Sequence, residues 1–274
     1  MEYKPPTAGR DPAVTIVMPV HNGAAWVEHA IESVKAQTFE DWELLVFDNA
    51  STDASAEITG RCAAGDPRIR LIRSAVKENM AQSRNRGFSL ARGTLIAAID
   101  CDDIWLDPKK LEVQVKALED ASHGPRPLGV LGTWMIRIDE RGAKLPGGAG
   151  LVKFATTDAN ICRSILYRNH VAHSSALFLK QAALDCGGYD EGCPLMSDHD
   201  LWLKIGINYA LATLPTYSIA YRVHKQSATQ AHLVRVAIEE LAVIFRHRRN
   251  YPGFAIGVIK GLLRLGRAFW GSWL

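Results

Sequence analysis

The stretch TLIAAIDCDDIW, residues 94–105, joins a short apolar run to three closely spaced carboxylates. Residues 94–99 form a brief, mostly apolar segment with β-branched side chains, which is typical of a buried strand. Asp100, Asp102 and Asp103 follow at once, although like charges this close disfavour one another. A buried strand that ends in an acidic cluster indicates a ligand site at the edge of a sheet.

The residues upstream of this stretch predict the rest of a sheet. Short apolar runs predict strands at 14–20, 43–47 and 69–72, and apolar side chains at helical spacing predict helices at 24–37 and 79–91. Strands that alternate with helices indicate βαβ units and a mostly parallel sheet, hence an α/β fold. Ligands of such sheets bind beyond the carboxyl ends of the strands.

Polar residues follow three of these strands. His21 and Asn22 come after the first strand, Asp48 after the second, and the cluster at 100–103 after the fourth. We therefore expect them to converge on one edge of the sheet. Alternate residues of an extended chain point the same way, which predicts that Asp100 and Asp102 face one ligand while Asp103 turns aside to cap the next segment.

Two carboxylates that face one ligand favour a divalent cation. Carboxylate oxygens suit Mg²⁺ or Mn²⁺, and Mg²⁺ usually completes its coordination shell with water and substrate phosphates. One hypothesis for the acidic cluster is therefore a metal–diphosphate site. The alternative is a solvated loop with a helix cap.

Composition and charge narrow the class of protein. The 274 residues are 47% hydrophobic and 22% charged, enough for one sizeable core. Residues 241–274 carry six basic side chains and no acidic one, so residues 1–240 have a net charge of −3 against +3 for the whole chain. A body without a basic stripe argues against a nucleic-acid partner. We expect no signal peptide and no membrane-spanning helix.

The cysteines predict a reducing compartment. They are five in number and scattered, and none lies in a C-x-x-C pair: Cys62, Cys101, Cys162, Cys186 and Cys193. This pattern is typical of buried, reduced thiols in a cytosolic protein.

Four segments of the chain stand out: VTIVMPVHNGAAWVEHAIESVKAQTFEDWELLVFDNASTDAS (14–55), KENMAQSRNRGFSLARGTLIAAIDCDD (77–103), GGYDEGCPLMSDHDLWLK (187–204) and YRVHKQSAT (221–229). In order and spacing they resemble the motifs of family-2 glycosyltransferases, which are nucleotide-sugar enzymes of the GT-A fold. The resemblance implies a Rossmann-like, mostly parallel central sheet flanked by helices, to which the chain adds an amphipathic helical tail. We expect an N-terminal arm (1–12), a nucleotide-sugar-binding half (13–104), an acceptor-binding and catalytic half (105–230) and a basic tail (231–274).

The resemblance assigns a set of residues to the donor and its metal. They are Pro19, Val20, Asn22, Asp48, Arg84, Asn85, Asp100, Cys101, Asp102 and His224. Asp48 matches the acid that reads the base; a carboxylate can accept the imide N–H of uracil or thymine, which cytosine lacks, so UDP- or dTDP-sugars are favoured. Arg84 matches a contact to base or phosphate, with a surface salt bridge as the alternative.

The remaining assignments concern the metal and the base. Asp102 matches the ligand of Mg²⁺ or Mn²⁺, and His224 matches the histidine that reaches the diphosphate or its metal. Asp198 matches the catalytic base, which would take the proton of an acceptor hydroxyl in a single inverting displacement. On sequence alone, a helix cap explains Asp198 equally well, and Trp105 fits either an acceptor-stacking or a core position.

The chain departs from the family pattern at four positions. Asn49 and Ala50 stand where Asp and Gly are common, and Cys101 is the middle residue of the D-x-D motif. Ser197 replaces the usual Glu before the base, which leaves the choice of acceptor open.

The tail, residues 254–274, also fits a helix. One face collects the apolar side chains Phe254, Val258, Leu262, Leu265, Phe269 and Trp273, opposite a basic stripe of Lys260, Arg264 and Arg267. A broad apolar face with a basic edge is typical of a helix in an anionic membrane surface. Packing on the protein or on a homodimer partner is the alternative, and the glycines weaken the helix prediction.

The expected function is a metal-dependent glycosyltransferase of the hexosyltransferase type that moves one sugar. Its acceptor is expected to be a lipid-linked saccharide of bacterial surface polysaccharide synthesis, handled in the cytoplasm or at the inner membrane face. The chain lacks the Q-x-x-R-W stretch of processive synthases. A sugar-nucleotide nucleotidyltransferase and a non-catalytic nucleotide-sugar-binding module are the alternatives. Nucleotidyltransferases usually carry a basic, glycine-rich first loop, whereas PVHNGAAW has no Lys or Arg.

Overall fold

The computed structural model describes residues 11–121 and 126–271, in which the chain forms a mixed sheet flanked by helices. The strands are β1 (Val14–Val20), β2 (Trp42–Asn49), β3 (Ile69–Ser74), β4 (Leu95–Ala98), β5 (Ile104–Trp105), β6 (Leu128–Ile138), β7 (Leu151–Val152), β8 (Leu177–Leu179) and β9 (Ala210–Arg222). The helices are α1 (Val27–Lys35), α2 (Ser55–Gly65), α3 (Met80–Leu90), α4 (Lys110–Asp120), α5 (Asp158–Cys162), α6 (Lys180–Asp185), α7 (Ser197–Ile205), α8 (Ala228–Ala231), α9 (Leu233–His247) and α10 (Phe254–Gly271). Residues 1–10 of the predicted N-terminal arm and Trp273 lie outside the described residues.

The central sheet has the strand order β3-β2-β1-β4-β8-β6-β9-β5. Strands β3, β2, β1 and β4 are parallel, as the alternation of strands and helices predicted. Strand β8 runs antiparallel to both β4 and β6, and β6 then pairs with β9 in parallel. The antiparallel β8 therefore joins the N-terminal half of the sheet to the C-terminal half, and the α/β class is confirmed.

Both faces of the sheet are buried. Alternate side chains of β1 belong to different clusters, with Ile16 and Met18 in one and Val17 in the other. Helices α1 and α4 cover the first face, while α3, α6, α7 and α9 cover the second. This double burial explains why the parallel strands read as continuous apolar runs.

Two local features position residues of the site. Residues 173–180 are extended only at Leu177–Leu179, because His173–Ser175 forms a 3-10 turn. Helix α7 begins at Ser197 and therefore includes Asp198 in its first turn.

Helix α10 packs on α9 through small residues and through only part of the predicted apolar face. A Cβ on Gly261 would lie 2.5 Å from a methyl carbon of Leu241, so the glycine permits close approach of the two helices. Phe254, Val258 and Leu265 turn inward with it, and the outward face instead carries Ile256, Ile259 and Leu263.

Candidate active site

Residues 100–103, which follow β4, form a tight turn, called the acidic turn below. The Asp103 N–H donates to the Asp100 carbonyl at 3.1 Å, so residues 100–103 are not extended. The expectation that Asp100 and Asp102 point the same way because they alternate on a strand is therefore wrong. The three carboxylates leave the turn toward three different sets of partners.

Asp100 pairs with a buried arginine. Arg84 Nη2 donates to Asp100 Oδ1 at 2.8 Å, and His173 Nδ1 lies 3.4 Å from the same oxygen. Burial alone would raise the pKa of Asp100, but the Arg84 guanidinium and the His173 imidazole outweigh it and hold the pKa below its usual value. Arg84 is only 3% exposed, so it is a buried support of Asp100 and not a surface salt bridge.

Asp102 pairs with His224 from the end of β9. The Asp102 Oδ2 and His224 Nε2 atoms lie 2.8 Å apart, and the Asp102 side chain is 22% exposed. The His224 ring stacks obliquely on Trp26, with ring centroids 4.3 Å apart. Its Nδ1 is buried and has no hydrogen-bond partner among the described residues. Asp102 after β4, Trp26 in the loop after β1 and His224, the histidine predicted to contact the diphosphate, therefore lie together.

Asp103 faces inward and fixes the turn. Its carboxylate accepts the Arg222 N–H at 2.9 Å and the Ser174 hydroxyl, whose Oγ in turn accepts the Asp100 N–H at 3.0 Å. Arg222 Nε also donates to the Asp102 carbonyl at 2.8 Å. Burial, with the charges of Asp102 and Asp100, raises the pKa of Asp103 well above its usual value. The sequence predicted that Asp103 turns aside to cap the next segment. Its carboxylate does turn aside, but it bonds to Arg222 and Ser174 and does not cap that segment.

Asp48 lies at the end of β2, inside the strand and opposite Val20 of β1. It is 2% exposed and accepts the Ser51 N–H at 3.3 Å, and Arg73 Nε lies 3.7 Å from its other oxygen. Pro19 pairs with Phe47 one step earlier in the same ladder. Three of the predicted donor residues, Pro19, Val20 and Asp48, therefore share one strand edge.

Asn22 and Asn85 hold loops in place with their amides. Asn22, at φ 53°, accepts the Thr52 N–H at 2.8 Å and so ties the loop after β1 to the loop after β2. Asn85 exchanges hydrogen bonds with the Tyr189 backbone, at 2.9 and 3.0 Å, and donates to Glu191. The structure does not bring Asn85 to the acidic turn.

Cys101 packs against the first loop. A Cβ on Gly23 would lie 2.8 Å from the Cys101 Sγ atom. Burial, together with the charges of Asp102 and Asp100, raises the pKa of the Cys101 thiol, so the thiol stays protonated.

Asp198 enters the site from the other half of the sheet. Its Oδ2 accepts the Asn169 amide at 3.0 Å, and the preceding Ser197 Oγ accepts Arg84 Nη1 at 3.3 Å. Arg84 thus connects Asp100 to the start of the helix that carries Asp198. The amides of the first turn of α7 stabilise an anion at this position.

Tyr221, on β9, marks where the two halves meet. Burial raises its pKa, and so do the charges of Asp103, Asp102, Asp100 and Asp198. The acidic turn and Asp198 thus both contribute to the electrostatic environment of Tyr221.

The comparison with known protein families matches this architecture. Residues 15–179, more than half of the chain, match the profile described as "Glycosyl transferase family 2". The chain belongs to glycosyl transferase family 2. The matched range runs from β1 to β8 and contains Asp48 and the acidic turn.

Individual relatives agree with this family 2 assignment. An uncharacterized glycosyltransferase of Methanocaldococcus jannaschii is 26% identical over 250 residues, which cover 90% of this chain and 83% of that protein. Staphylococcus aureus TarS in complex with UDP has a TM-score of 0.63 at 15% identity, covering 86% of this chain and 70% of TarS. The mannosyltransferase PcManGT of Pyrobaculum calidifontis, in complex with GDP-Man and Mn²⁺, has a TM-score of 0.66 at 18% identity, covering 96% of this chain and 76% of PcManGT. These two structures confirm the GT-A fold.

Asp102 and His224 are the candidate metal ligands of this glycosyltransferase. Within residues 11–121 and 126–271 there is no group of three or more His, Cys, Asp or Glu side chains suited to a metal ion. Mg²⁺ usually needs only one or two carboxylates, since water and substrate phosphates complete its shell. A partly exposed carboxylate whose Oδ2 lies 2.8 Å from the Nε2 of an imidazole fits such a site.

Sequence reasoning missed several residues of the glycosyltransferase site. Ser174, Arg222 and Tyr221 hold or line the acidic turn, and the Y-R-x-H spacing around His224 was a signal for the last two. No local signal pointed to Asn169, which reaches Asp198 only through the fold. Among the described residues, no helix combines the length and hydropathy needed to cross a bilayer.

Proposed function

We propose that the protein transfers one sugar from a UDP- or dTDP-sugar to an acceptor hydroxyl with inversion at the anomeric carbon. The observation that carries the proposal is the state of Asp198, which forms no ion pair among the described residues although Arg84 joins its neighbour Ser197 to Asp100 of the acidic turn. Asp100 is neutralised by Arg84, and Asp102 is bonded to His224. Asp198 is therefore the carboxylate at the site that is available as a base.

The chemistry follows from these positions. Asp198 accepts the proton of the acceptor hydroxyl while its oxygen attacks the anomeric carbon and the bond to the diphosphate breaks. Asp102 and His224 would hold Mg²⁺ or Mn²⁺ on the diphosphate side of the donor. The ion would stabilise the charge that develops on the leaving diphosphate.

The donor preference rests on Asp48. Its carboxylate is buried at the carboxyl end of β2, beside Val20 of β1. There it can accept the imide N–H of uracil or thymine. Guanine also carries a ring N–H, and PcManGT was solved with GDP-Man, so GDP-mannose belongs in the test.

Nucleotide release tests the proposed reaction. The protein is incubated with Mn²⁺ and UDP-glucose, UDP-galactose, UDP-N-acetylglucosamine, dTDP-rhamnose or GDP-mannose, with water as the acceptor, and the released nucleoside diphosphate is measured. A parallel incubation with UTP or dTTP and a sugar 1-phosphate is assayed for pyrophosphate. We expect UDP or dTDP release, and a loss of about two to four powers of ten in Asp198→Asn. Asp185→Asn, on an exposed acid at the end of α6, is the matched control and should retain full activity.

Four outcomes of these incubations contradict the proposal. Pyrophosphate release from the nucleoside triphosphate and the sugar 1-phosphate would indicate a nucleotidyltransferase. Binding of a nucleotide sugar without any release would indicate a binding module, and release from GDP-mannose alone would remove the donor assignment. Unchanged turnover in Asp198→Asn would remove the base.

We further propose that α10 contacts an anionic membrane surface, which would suit a lipid-linked acceptor. The proposal is supported by its outward face, where Ile256, Ile259 and Leu263 are each about half exposed. Lys260 and Arg267 flank that face on one side, and residues 241–274 contain no acidic residue. Apolar side chains with a basic edge favour a lipid surface over water.

Vesicle flotation tests the membrane contact. The full chain should float with phosphatidylcholine vesicles that contain phosphatidylglycerol, and less with phosphatidylcholine alone. Ile259→Glu should abolish flotation, whereas Ile207→Glu, an exposed isoleucine after α7, should not. Equal flotation of both variants contradicts the proposal, and so does a concentration-dependent dimer that Ile259→Glu dissociates.

A further inference from the structure

Asn169 lies beside the catalytic helix in a fixed orientation. Its Oδ1 accepts the Val171 N–H at 3.0 Å, and its Nδ2 donates to Asp198 Oδ2 at 3.0 Å. Exchanging the oxygen and nitrogen of the amide would place donor against donor and acceptor against acceptor. The two contacts therefore define which group faces Asp198.

The segment that carries Asn169 is attached to α7 at two points. Besides the contact of Asn169 with Asp198, Trp202 donates its indole N–H to the Val171 carbonyl at 3.1 Å. Residues 198 and 202 lie one turn apart on the same side of the helix. Trp202 and Val171 are both fully buried, so the support of Asn169 is rigid.

Several polar groups surround Asp198, but they form no hydrogen bond with its carboxylate among the described residues. Arg84, Tyr189, His199 and Tyr221 all interact with it electrostatically. Within the described residues, however, the amide of Asn169 makes the side-chain hydrogen bond to this carboxylate, and Oδ1 of Asp198 carries none.

We propose that Asn169 is a positioning residue for Asp198. By donating to Oδ2 it fixes the rotation of the carboxylate, and it leaves Oδ1 free to take the proton of the acceptor hydroxyl. This inference rests on the proposed role of Asp198 as the base. Asn169 does not touch the reacting atoms or the donor. We therefore expect its substitution to change kcat and not the binding of the donor.

Two substitutions separate positioning from folding. Asn169→Asp keeps the oxygen that accepts the Val171 N–H and replaces the donor with a second carboxylate; Asn169→Ala removes both contacts. The control is Asn160→Asp, the same change on the exposed face of α5. Turnover is measured as hydrolysis of the nucleotide sugar that the wild type cleaves fastest, with water as the acceptor.

We expect kcat to fall about 10- to 100-fold in Asn169→Ala, with KM for the donor within about twofold of wild type. Asn169→Asp should lose at least as much at neutral pH and regain activity as the pH rises, because two adjacent carboxylates hold a shared proton. Asn160→Asp should leave kcat, KM and the pH profile unchanged.

The outcomes distinguish this inference from the function on which it rests. If Asp198→Asn abolishes hydrolysis while both Asn169 variants keep wild-type kcat, Asn169 does not position the base, although the base assignment stands. If Asn169→Asp loses activity equally at all pH values and melts well below wild type, the role is structural and the inference fails. If the wild type cleaves no nucleotide sugar, or Asp198→Asn stays active, the proposed function and this inference fail together.

Discussion

The three carboxylates of the acidic turn coexist because each meets a different counterpart. Asp100 has the Arg84 guanidinium, Asp102 has His224, and the buried Asp103 has hydrogen bonds and a raised pKa. Like charges at this spacing would otherwise oppose folding. One residue type thus performs three tasks within four positions, and only the partners that the fold supplies tell these tasks apart.

Ala50, next to the site, adopts a backbone conformation that suits glycine. Its φ is 52°, where a Cβ costs an L-residue roughly 1–2 kcal/mol. We expect Ala50→Gly to raise the free energy of unfolding by about 0.5–1 kcal/mol, after the greater freedom of glycine in the unfolded chain is subtracted. Urea denaturation measures this. Ala117→Gly within α4 should lower it by about 1 kcal/mol, and a loss of stability in Ala50→Gly would contradict the argument.

Lys110 is a buried lysine that should make stability depend on pH. Its Nζ lies 4.0 Å from the centre of the Trp105 ring, and burial lowers its pKa to about 7 while Asp107 opposes the shift. Above pH 7 the unfolded chain keeps a proton that the folded chain has lost, so stability rises with pH toward the pKa of free lysine. The sequence left Trp105 either in the core or stacked on an acceptor sugar. The structure places it in the core, in contact with Lys110.

The comparison of wild type with Lys110→Met isolates this effect. Between pH 7 and 8.5, the unfolding free energy of wild type relative to the variant should rise by about 1.5 kcal/mol. Lys109→Met, an exposed neighbour, should show no such trend. A difference that stays constant over this range would mean that Lys110 keeps an ordinary pKa in the folded protein.

Helix α9 supports α7, the helix that carries Asp198. Glu239 accepts the N–H groups of Leu195 and Met196, directly before α7, at 2.8 and 3.2 Å. Asp200, fully buried in the first turn of α7, lies 2.8 Å from Arg246 and 2.9 Å from His247. The start of the tail is therefore part of the support of Asp198.

Arg246 should matter to stability because of the charge it compensates. In Arg246→Met, Asp200 stays buried with less compensation, which should cost about 2–4 kcal/mol in a urea melt. The same change made together with Asp200→Asn should cost much less, which gives a coupling energy of roughly 2 kcal/mol. Arg248→Met, an exposed arginine just after α9, is the control. Equal costs in both backgrounds would show that Arg246 acts through packing.

The parallel half of the fold was predictable from the sequence, whereas strand β9 was not, for physical reasons. Strands β1, β2 and β4 are buried on both faces, so each appears locally as an apolar run. Strand β9 carries Pro215 and a shifted register near Thr213, and only its long-range pairing with β6 makes it a strand. Likewise, the convergence of strand ends was predictable from topology, whereas the burial of Arg84 and the contact of Asn169 with Asp198 depend on elements far apart in sequence.

Part of the positive charge of residues 241–274 is neutralised by ion pairs within the molecule. Arg246 is paired with Asp190 and Asp200, and Arg264 with Glu240. The tail is therefore less basic at its surface than its composition indicates. The domain boundary at residue 231 stays a prediction, although the pairs across it join α7 to α9.

We expect the nucleotide and the metal ion to bind to the protein together. Asp102 and His224 offer only two ligands, so Mn²⁺ alone should bind weakly, and a diphosphate supplies the rest. Each ligand then raises the affinity of the other by the same factor. At about 100 times its Kd, UDP with Mn²⁺ should stabilise the fold by about 2.7 kcal/mol, a rise in Tm of roughly 5–10 °C. Asp102→Asn should lose the increment due to Mn²⁺ while Asp185→Asn keeps it; a UDP shift that EDTA leaves unchanged would show that the diphosphate binds without a cation.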